Sequence, residues 1–169
     1  MRFWSVTVLL LLLVACAPQL GVSDSQRREW GLQPVIGGFA PDRGEGGKYK
    51  LRERVFFSFT LSQPGYVTLV TMDSDTTTVV LERNVQLPAG RHAFPLATDR
   101  NAQGQATYLV VPPLGPSRFR LLYTNTPATN RELFRGKLSN EEFNRHTQAY
   151  LSAAQVRDVV ETSMEAVPQ

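Results

Sequence analysis

The chain has 169 residues and carries 18 lysines and arginines against 15 aspartates and glutamates, a formal net charge of +3. The basic residues are dispersed along the chain and form no stripe interleaved with aromatic residues, so the composition does not indicate a nucleic-acid partner. The single cysteine, Cys16, excludes a fold built on disulfides. The roughly 150 residues from Cys16 onward suit one domain with its own core.

The first segment is an apolar run at residues 3–17, preceded by Arg2. It is too short to cross a bilayer as a helix, which needs about 20 apolar residues. A single positive charge, a leucine-rich centre and small residues near the end of the run are the three parts of an export signal. We therefore expect residues 1–15 to be a signal peptide.

Two cleavage sites compete at the end of this run. Ala15-Cys16-Ala17 has the small-x-small pattern of an ordinary secretory signal. Cleavage after Ala17 would place Pro18 directly beyond the cut bond, where its ring and missing N–H are poorly tolerated. Cleavage before Cys16 avoids this difficulty. The four residues that end at this cysteine resemble a bacterial lipobox: Leu13, Val14, Ala15 and Cys16.

The resemblance to bacterial lipoproteins implies that Cys16 becomes the new N-terminus, with a diacylglycerol thioether and an N-acyl chain. Each buried CH₂ contributes about 0.8 kcal/mol, so that several chains give a durable membrane anchor. Ala17 stands where inner-membrane lipoproteins carry an aspartate, which favours the outer membrane if the cell has one. We expect an exported protein, lipid-anchored to the bacterial cell envelope, with residues 16–32 as a lipidated tether and residues 33–169 as the folded domain.

The domain is expected to be mainly β. Apolar and polar residues alternate over residues 49–61, which predicts one half-buried strand. The apolar face of this strand carries Tyr49, Leu51, Val55, Phe57, Phe59 and Leu61. A turn at Gln63-Pro64-Gly65 is predicted with a positive φ at the glycine. Further strands are expected at residues 65–73, 76–83, 107–112 and 118–124, and residues 84–96 are expected to form a turn and a short edge strand broken by Pro88 and Gly90. This regular spacing is typical of an antiparallel sandwich or barrel.

A helix is predicted within residues 138–155. Ser139 and Glu142 have the spacing of a capping box, and Leu138 and Phe143 have that of a hydrophobic staple. Residues 156–167 fit either a helix or a strand, and we favour a strand that closes an edge of the sandwich. Before the domain, Trp30 is expected in the core rather than at the membrane interface.

The order of these segments resembles the bacterial domain of unknown function numbered 4384. The resemblance rests on the frame Y-x-L-x-E-x-V-x-F-x-F at residues 49–59, P-G-Y-V-T-L-V-T-M-D at residues 64–73 and L-P-A-G at residues 87–90. It covers about residues 35–127 and implies an immunoglobulin-like antiparallel β-sandwich. It supplies no catalytic residues.

Motifs for chemistry are weak. The glycine-rich segment at residues 42–50 lacks the first glycine and the Ser/Thr of a phosphate-binding loop. Asp73, Ser74 and Asp75 could offer oxygens to calcium, but a hairpin turn explains them better. His92 and His146 lie far apart in sequence, and a zinc site would need both. We therefore predict no catalytic residues, no metal site and no cofactor.

The leading hypothesis is a non-enzymatic envelope lipoprotein whose sandwich binds an envelope protein or polysaccharide, or braces an assembly. The alternative is a small-ligand carrier or hydrolase with a site in the loops at one end of the sandwich. A serine hydrolase would need its serine to lie beside His92 or His146. A closed apolar pocket of several hundred Å³ would favour the alternative.

Overall fold

The computed structural model describes residues 21–98, 104 and 107–169, so the predicted signal peptide and Cys16 lie outside the described residues. The helices are α1 (Asp24–Glu29) and α2 (Asn140–Leu151). The strands are β1 (Ile36–Pro41), β2 (Gly47–Lys50), β3 (Arg54–Val55), β4 (Phe57–Leu61), β5 (Gly65–Met72), β6 (Thr77–Leu87), β7 (Gly90–Phe94), β8 (Tyr108–Leu109), β9 (Gly115–Thr124), β10 (Gly136–Lys137) and β11 (Arg157–Val167).

Two sheets form the sandwich, and helices cover one outer face. The larger sheet has the order β10-β6-β5-β9-β11-β2, the smaller one has the order β1-β4-β7, and β3 pairs with β8 as a short ribbon. All described pairings are antiparallel except that of β11 with β2. The prediction of a mainly-β sandwich with a C-terminal helix is confirmed.

Alternation along the central strands separates two cores. On β5, Val67 and Leu69 face the smaller sheet, whereas Val70 and Met72 face the helical layer. The first core lies between the sheets and is rich in aromatic side chains, including Phe57, Phe59, Phe94 and Phe119. The second core lies beneath α2, and contains Trp30, Phe134, Phe143 and Tyr150. Both faces of the larger sheet are therefore buried over much of its area.

Helix α2 begins where the sequence predicts. The Ser139 side chain accepts the Glu142 N–H, and the Glu142 carboxylate accepts the Ser139 N–H at 2.9 Å. These hydrogen bonds lower the pKa of Glu142. On the buried face of the helix, Phe143, Thr147, Tyr150 and Leu151 pack against the larger sheet. The favoured strand at residues 156–167 is also confirmed as β11, which lies between β9 and β2.

The single strand predicted at residues 49–61 is wrong. It is divided into β2, β3 and β4, which belong to three different sheets. The chain turns at Arg52, whose φ is +69°. The alternation nevertheless marked the inward face, because Tyr49, Val55, Phe57, Phe59 and Leu61 are buried and Leu51 is half-buried.

Three elements were not predicted, α1, β1 and the two-residue strand β10. The helix α1 lies within the segment expected to be a tether, and Arg27 on its inner side is ion-paired with Asp158 on β11 at 2.8 Å. Trp30, at the end of α1, is buried as expected. Among the described residues, no helix is long and apolar enough to cross a membrane.

Candidate functional site

The segment at residues 125–138 connects β9 to α2 and forms one wall of a cleft against β6. Its first attachment is Asn84, which lies in a bulged part of β6 and has a φ of +51°. The Asn84 amide donates to the Ala128 carbonyl at 2.6 Å and its oxygen accepts the Ala128 N–H at 3.1 Å. The same oxygen accepts the Tyr150 hydroxyl at 2.8 Å, which ties the segment to α2 as well.

The second attachment is Arg83, the neighbour of Asn84. Its guanidinium donates to the carbonyls of Asn130 at 3.2 Å and Leu133 at 3.1 Å. An arginine has five N–H donors in a fixed planar arrangement. Arg83 is therefore held in position by two carbonyls and retains donors for a further partner.

The third attachment is the short strand β10, which pairs with Thr77 and Thr78 at the start of β6. Lys137 of β10 also contacts Asp75 in the β5–β6 turn, with 3.1 Å between its Nζ and a carboxylate oxygen. Hydrogen bonds from Thr77, reinforced by Lys137, lower the pKa of Asp75 to about 2. The wall of the cleft is thus fixed at both ends and in its middle.

The cleft between this wall and β6 has a volume of about 580 Å³. Three arginines line it, and the lining includes no acidic residue. The full set of lining residues is Thr78, Val79, Val80, Arg83, Asn84, Arg131, Phe134, Arg135 and Gly136. The charged groups of the lining are thus all positive.

The backbone around the cleft is strained at Phe134. Its φ of +64° lies in the left-handed region, which is unusual for a bulky side chain. The conformation is held by burial of the ring against Phe143 and Tyr150, and by the Phe134 N–H, which donates to His146 Nδ1 at 3.1 Å. This turn carries the ring into the core beneath α2 while Arg131 and Arg135, on either side of it, remain exposed. Such strain is common at functional sites.

A second, smaller opening lies at one end of the sandwich. It measures about 150 Å³, and its mainly apolar lining includes Phe57, Tyr108, Phe119 and Met164. Val111, which is 63% exposed, is on its rim. The opening is smaller than the several hundred Å³ that would favour a small-ligand carrier.

The two histidines are not brought together. His92 lies on β7 in the smaller sheet, where its Nε2 is 2.8 Å from the Pro88 carbonyl. His146 lies on α2, on the far side of the larger sheet, and accepts the Phe134 N–H. Glu142, four residues before His146, is engaged in the capping box instead. Over residues 21–98, 104 and 107–169, no three histidine, cysteine or acidic side chains are grouped as metal ligands would be.

The acidic turn at residues 73–75 is a hairpin turn, as the favoured interpretation predicts. Asp73 accepts the Ser117 hydroxyl at 3.0 Å, and Ser74 donates to the Leu114 carbonyl at 2.7 Å. Asp75 accepts the N–H and hydroxyl of Thr77 at 3.0 Å. These side-chain oxygens are therefore used to hold the turn.

A buried ion pair lies beneath α2. Arg120 on β9 donates through Nε to Glu161 on β11 at 2.7 Å, and both side chains are 3% exposed. Its remaining donors reach Asn144, at 3.0 Å, and the hydroxyl of Thr147, both on α2. Burial lowers the pKa of Arg120, and Glu161 opposes that shift. The pair links two strands to the helix that covers them.

The predicted lipidation site Cys16 and its lipobox residues Leu13, Val14 and Ala15 lie in the part of the chain that the structure does not describe. The arginine-lined cleft was not anticipated from the sequence. One signal was present, since three of the seven residues at 131–137 are basic, Arg131, Arg135 and Lys137. Arg83 is distant from them in sequence and could not be added to the group without the strand pairing.

Comparison with known proteins found no matching family model, no similar curated protein and no similar solved structure.

Proposed function

We propose that this protein is an exported bacterial lipoprotein that binds a component of the cell envelope without catalysing a reaction. The arginine-lined cleft is the observation that carries the binding role. Arginine stays protonated at any physiological pH, so it attracts and orients a ligand but does not exchange protons with it. A cleft whose charged groups are all arginines is better suited to binding than to acid–base chemistry.

The attachment of Gly21 limits how far the domain could lie from an anchor at Cys16. The Gly21 N–H donates to Glu161 on β11 at 3.1 Å, which attaches the chain to the larger sheet five residues after the cysteine. Five residues span at most about 18 Å when fully extended. A lipid anchor at Cys16 would therefore hold the domain close to the membrane surface.

A second function, carriage of a small apolar ligand, is favoured by the opening near Tyr108 and Phe119 at the end of the sandwich. Its volume of about 150 Å³ would admit only a few heavy atoms without widening. Binding of a fluorescent apolar probe that is abolished by Phe119→Trp, which fills this opening, would support carriage. A probe signal unaffected by that change would dismiss it.

Mass spectrometry of the mature protein from a bacterial host tests the anchoring. We expect a terminal peptide that begins at Cys16 and carries a diacylglycerol thioether. Cys16→Ser should yield an uncleaved precursor, because Pro18 obstructs the ordinary cleavage after Ala17. Adding Pro18→Ala should open that cleavage and release a soluble domain. An unmodified wild-type peptide that begins at Pro18 would overturn the assignment.

A further inference from the structure

The arginine-lined cleft has the features of an anion site rather than of a general contact surface. Its charged lining residues are Arg83, Arg131 and Arg135, with no aspartate or glutamate among the lining. Glu132 contacts Arg135 at 3.1 Å, but the two side chains are 77% and 65% exposed, and such a pair contributes little. An arriving anion can therefore displace Glu132 at small cost.

Arg83 is the preorganised member of this group. Its two hydrogen bonds to the loop carbonyls of Asn130 and Leu133 fix the plane of the guanidinium, and Arg83 is half-buried whereas Arg131 and Arg135 are exposed. A fixed planar guanidinium matches a pair of oxygens on phosphate or carboxylate. Because Arg83 is already ordered, little side-chain entropy is lost when its remaining N–H groups bind.

The combined charge of the three arginines favours phosphate over carboxylate as the ligand. Three arginines exceed what one carboxylate can neutralise, whereas a phosphate carries up to two charges and more acceptor oxygens. Thr78, at the β10 end of the cleft, is also in the lining, and its hydroxyl donates to the Thr76 carbonyl at 3.4 Å. The apolar surfaces of Val79 and Val80 leave room beside the anion for an uncharged part of the ligand.

We infer that this cleft binds a phosphate group, held by the half-buried Arg83 and by the exposed Arg131 and Arg135. The inference names the ligand of the binding site on which the proposed function rests. A phosphate group has two sources in an envelope, the free anion and a phosphodiester such as a phospholipid headgroup or a phosphate-linked glycan. Both present non-bridging phosphate oxygens to the arginines, but the free anion carries up to two charges and a phosphodiester carries one.

Titration of the full-length protein, purified in neutral detergent, tests the inference. Two probes are used, inorganic phosphate and glycerophosphoglycerol, and sodium chloride at equal ionic strength is the reference. We expect saturable heat of binding with at least one probe. Tighter binding of inorganic phosphate would identify the free anion as the ligand, and tighter binding of the diester would identify a headgroup or phosphate-linked polymer.

Two exposed arginines provide the variants, because their replacement leaves the buried contacts intact. Arg131→Gln and Arg135→Gln should each weaken binding of the preferred probe by about tenfold, in line with the loss of a charged hydrogen bond. The matched controls are Arg28→Gln on α1 and Arg91→Gln on β7, both exposed and away from the cleft, and they should bind as the wild type does.

Either of two results would overturn the inference. One is that neither probe gives more heat than chloride at the same ionic strength. The other is that the cleft variants and the control variants weaken binding equally, since this would show a nonspecific effect of net charge. Neither result bears on the lipid at Cys16, which mass spectrometry measures separately, so failure of the phosphate site can be told apart from failure of the anchoring.

Discussion

Arg27 on α1 donates through Nη2 to Oδ1 of Asp158 on β11 at 2.8 Å, and the Asp158 side chain is fully buried. The other carboxylate oxygen accepts the backbone N–H groups of Val35 and Ile36, each at 2.8 Å. One aspartate thus fixes both the helix that precedes the sandwich and the first residues of β1. The segment from Gly21 to Trp30 is in this way part of the folded unit rather than a spacer before it.

Replacement of this aspartate should release the segment. Asp158→Asn keeps the shape of the side chain but removes its charge, and the new amide N–H groups face donors on Arg27 or on the backbone of Val35 and Ile36. We therefore expect the free energy of unfolding to fall by about 3 kcal/mol. Arg27→Gln should cost less, about 1 kcal/mol, because Arg27 is 29% exposed and water can replace it.

Urea denaturation of the two variants measures these losses. The exposed Asp24→Asn on α1 is the control and should unfold at the wild-type midpoint. Equal losses for Asp158→Asn and Arg27→Gln would contradict the central role of the aspartate.

The sequence could not reveal this arrangement, for physical reasons. The strand β1 contains Gly37, Gly38 and Pro41 and so lacks both alternation and β-propensity. It is held by pairing with β4 and by the Asp158 carboxylate, both distant along the chain. Helix α1 has only six residues, too few for a periodic pattern, although its capping box of Ser23 and Gln26 was visible.

Local signals succeeded where local interactions determine the structure. The Ser139 and Glu142 box and the contacts of Asp75 with Thr77 in the acidic turn join residues two or three positions apart, and both the helix start and the turn were predicted. The cleft was missed because Arg83 and Asn84 meet residues 128–133 only through tertiary packing. The division of residues 49–61 among three sheets was missed for the same reason, since alternation does not show where a strand changes sheets.

The buried pair of Arg120 and Glu161 should behave as one unit. Glu161→Leu alone leaves an uncompensated guanidinium under α2, and Arg120→Met alone leaves an uncompensated carboxylate. We expect either change to lower the free energy of unfolding by about 3–5 kcal/mol. The double variant should lose much less than the sum, because both charges are then absent.

A double-mutant cycle by urea denaturation measures the coupling of this pair. Glu165→Gln, on the same strand, is the matched control. Its carboxylate is 3.4 Å from Lys48 Nζ in an exposed pair, and the change should alter the free energy of unfolding by less than about 0.5 kcal/mol. Additive losses for Arg120 and Glu161 would show that the two charges do not depend on each other.

Alkaline pH should destabilise the fold through Tyr49. Burial, with help from the hydrogen bond to Asp42, raises the pKa of this phenol from 10.0 to about 12. The folded protein therefore retains the Tyr49 proton at a pH at which the unfolded chain has lost it. The contribution of Tyr49 to the free energy of unfolding is therefore constant below about pH 10 and is lost as the pH rises from about 10 to about 12.

Denaturation of the wild type and Tyr49→Phe over this range tests the assignment. The variant loses the hydrogen bonds with Asp42 and the Arg43 N–H, which costs about 1 kcal/mol at neutral pH. Above pH 10 its stability should fall less steeply than that of the wild type, although burial also raises the pKa of Tyr123 and Tyr150. Parallel pH profiles for the two proteins would rule out Tyr49 as the source.

Gly65 is required for space rather than for a positive φ. The sequence predicts a left-handed glycine in the turn after Pro64, but Gly65 is not among the residues with positive φ. A Cβ on Gly65 would instead overlap the ring of Tyr123, whose hydroxyl donates to the Pro64 carbonyl at 2.8 Å. The ring of Tyr123 on β9 thus packs directly against the start of β5 because Gly65 has no side chain.

Gly65→Ala should therefore lower the free energy of unfolding by about 2 kcal/mol, since the ring or the backbone must shift. Tyr123→Leu alone should cost about 2–4 kcal/mol, through the cavity and the lost hydrogen bond. In the double variant the smaller leucine makes room for the added methyl group, so the combined loss should be at least about 1 kcal/mol below the sum. If thermal and urea denaturation instead gave additive losses, Gly65 would owe its place to backbone conformation, as the sequence alone suggests.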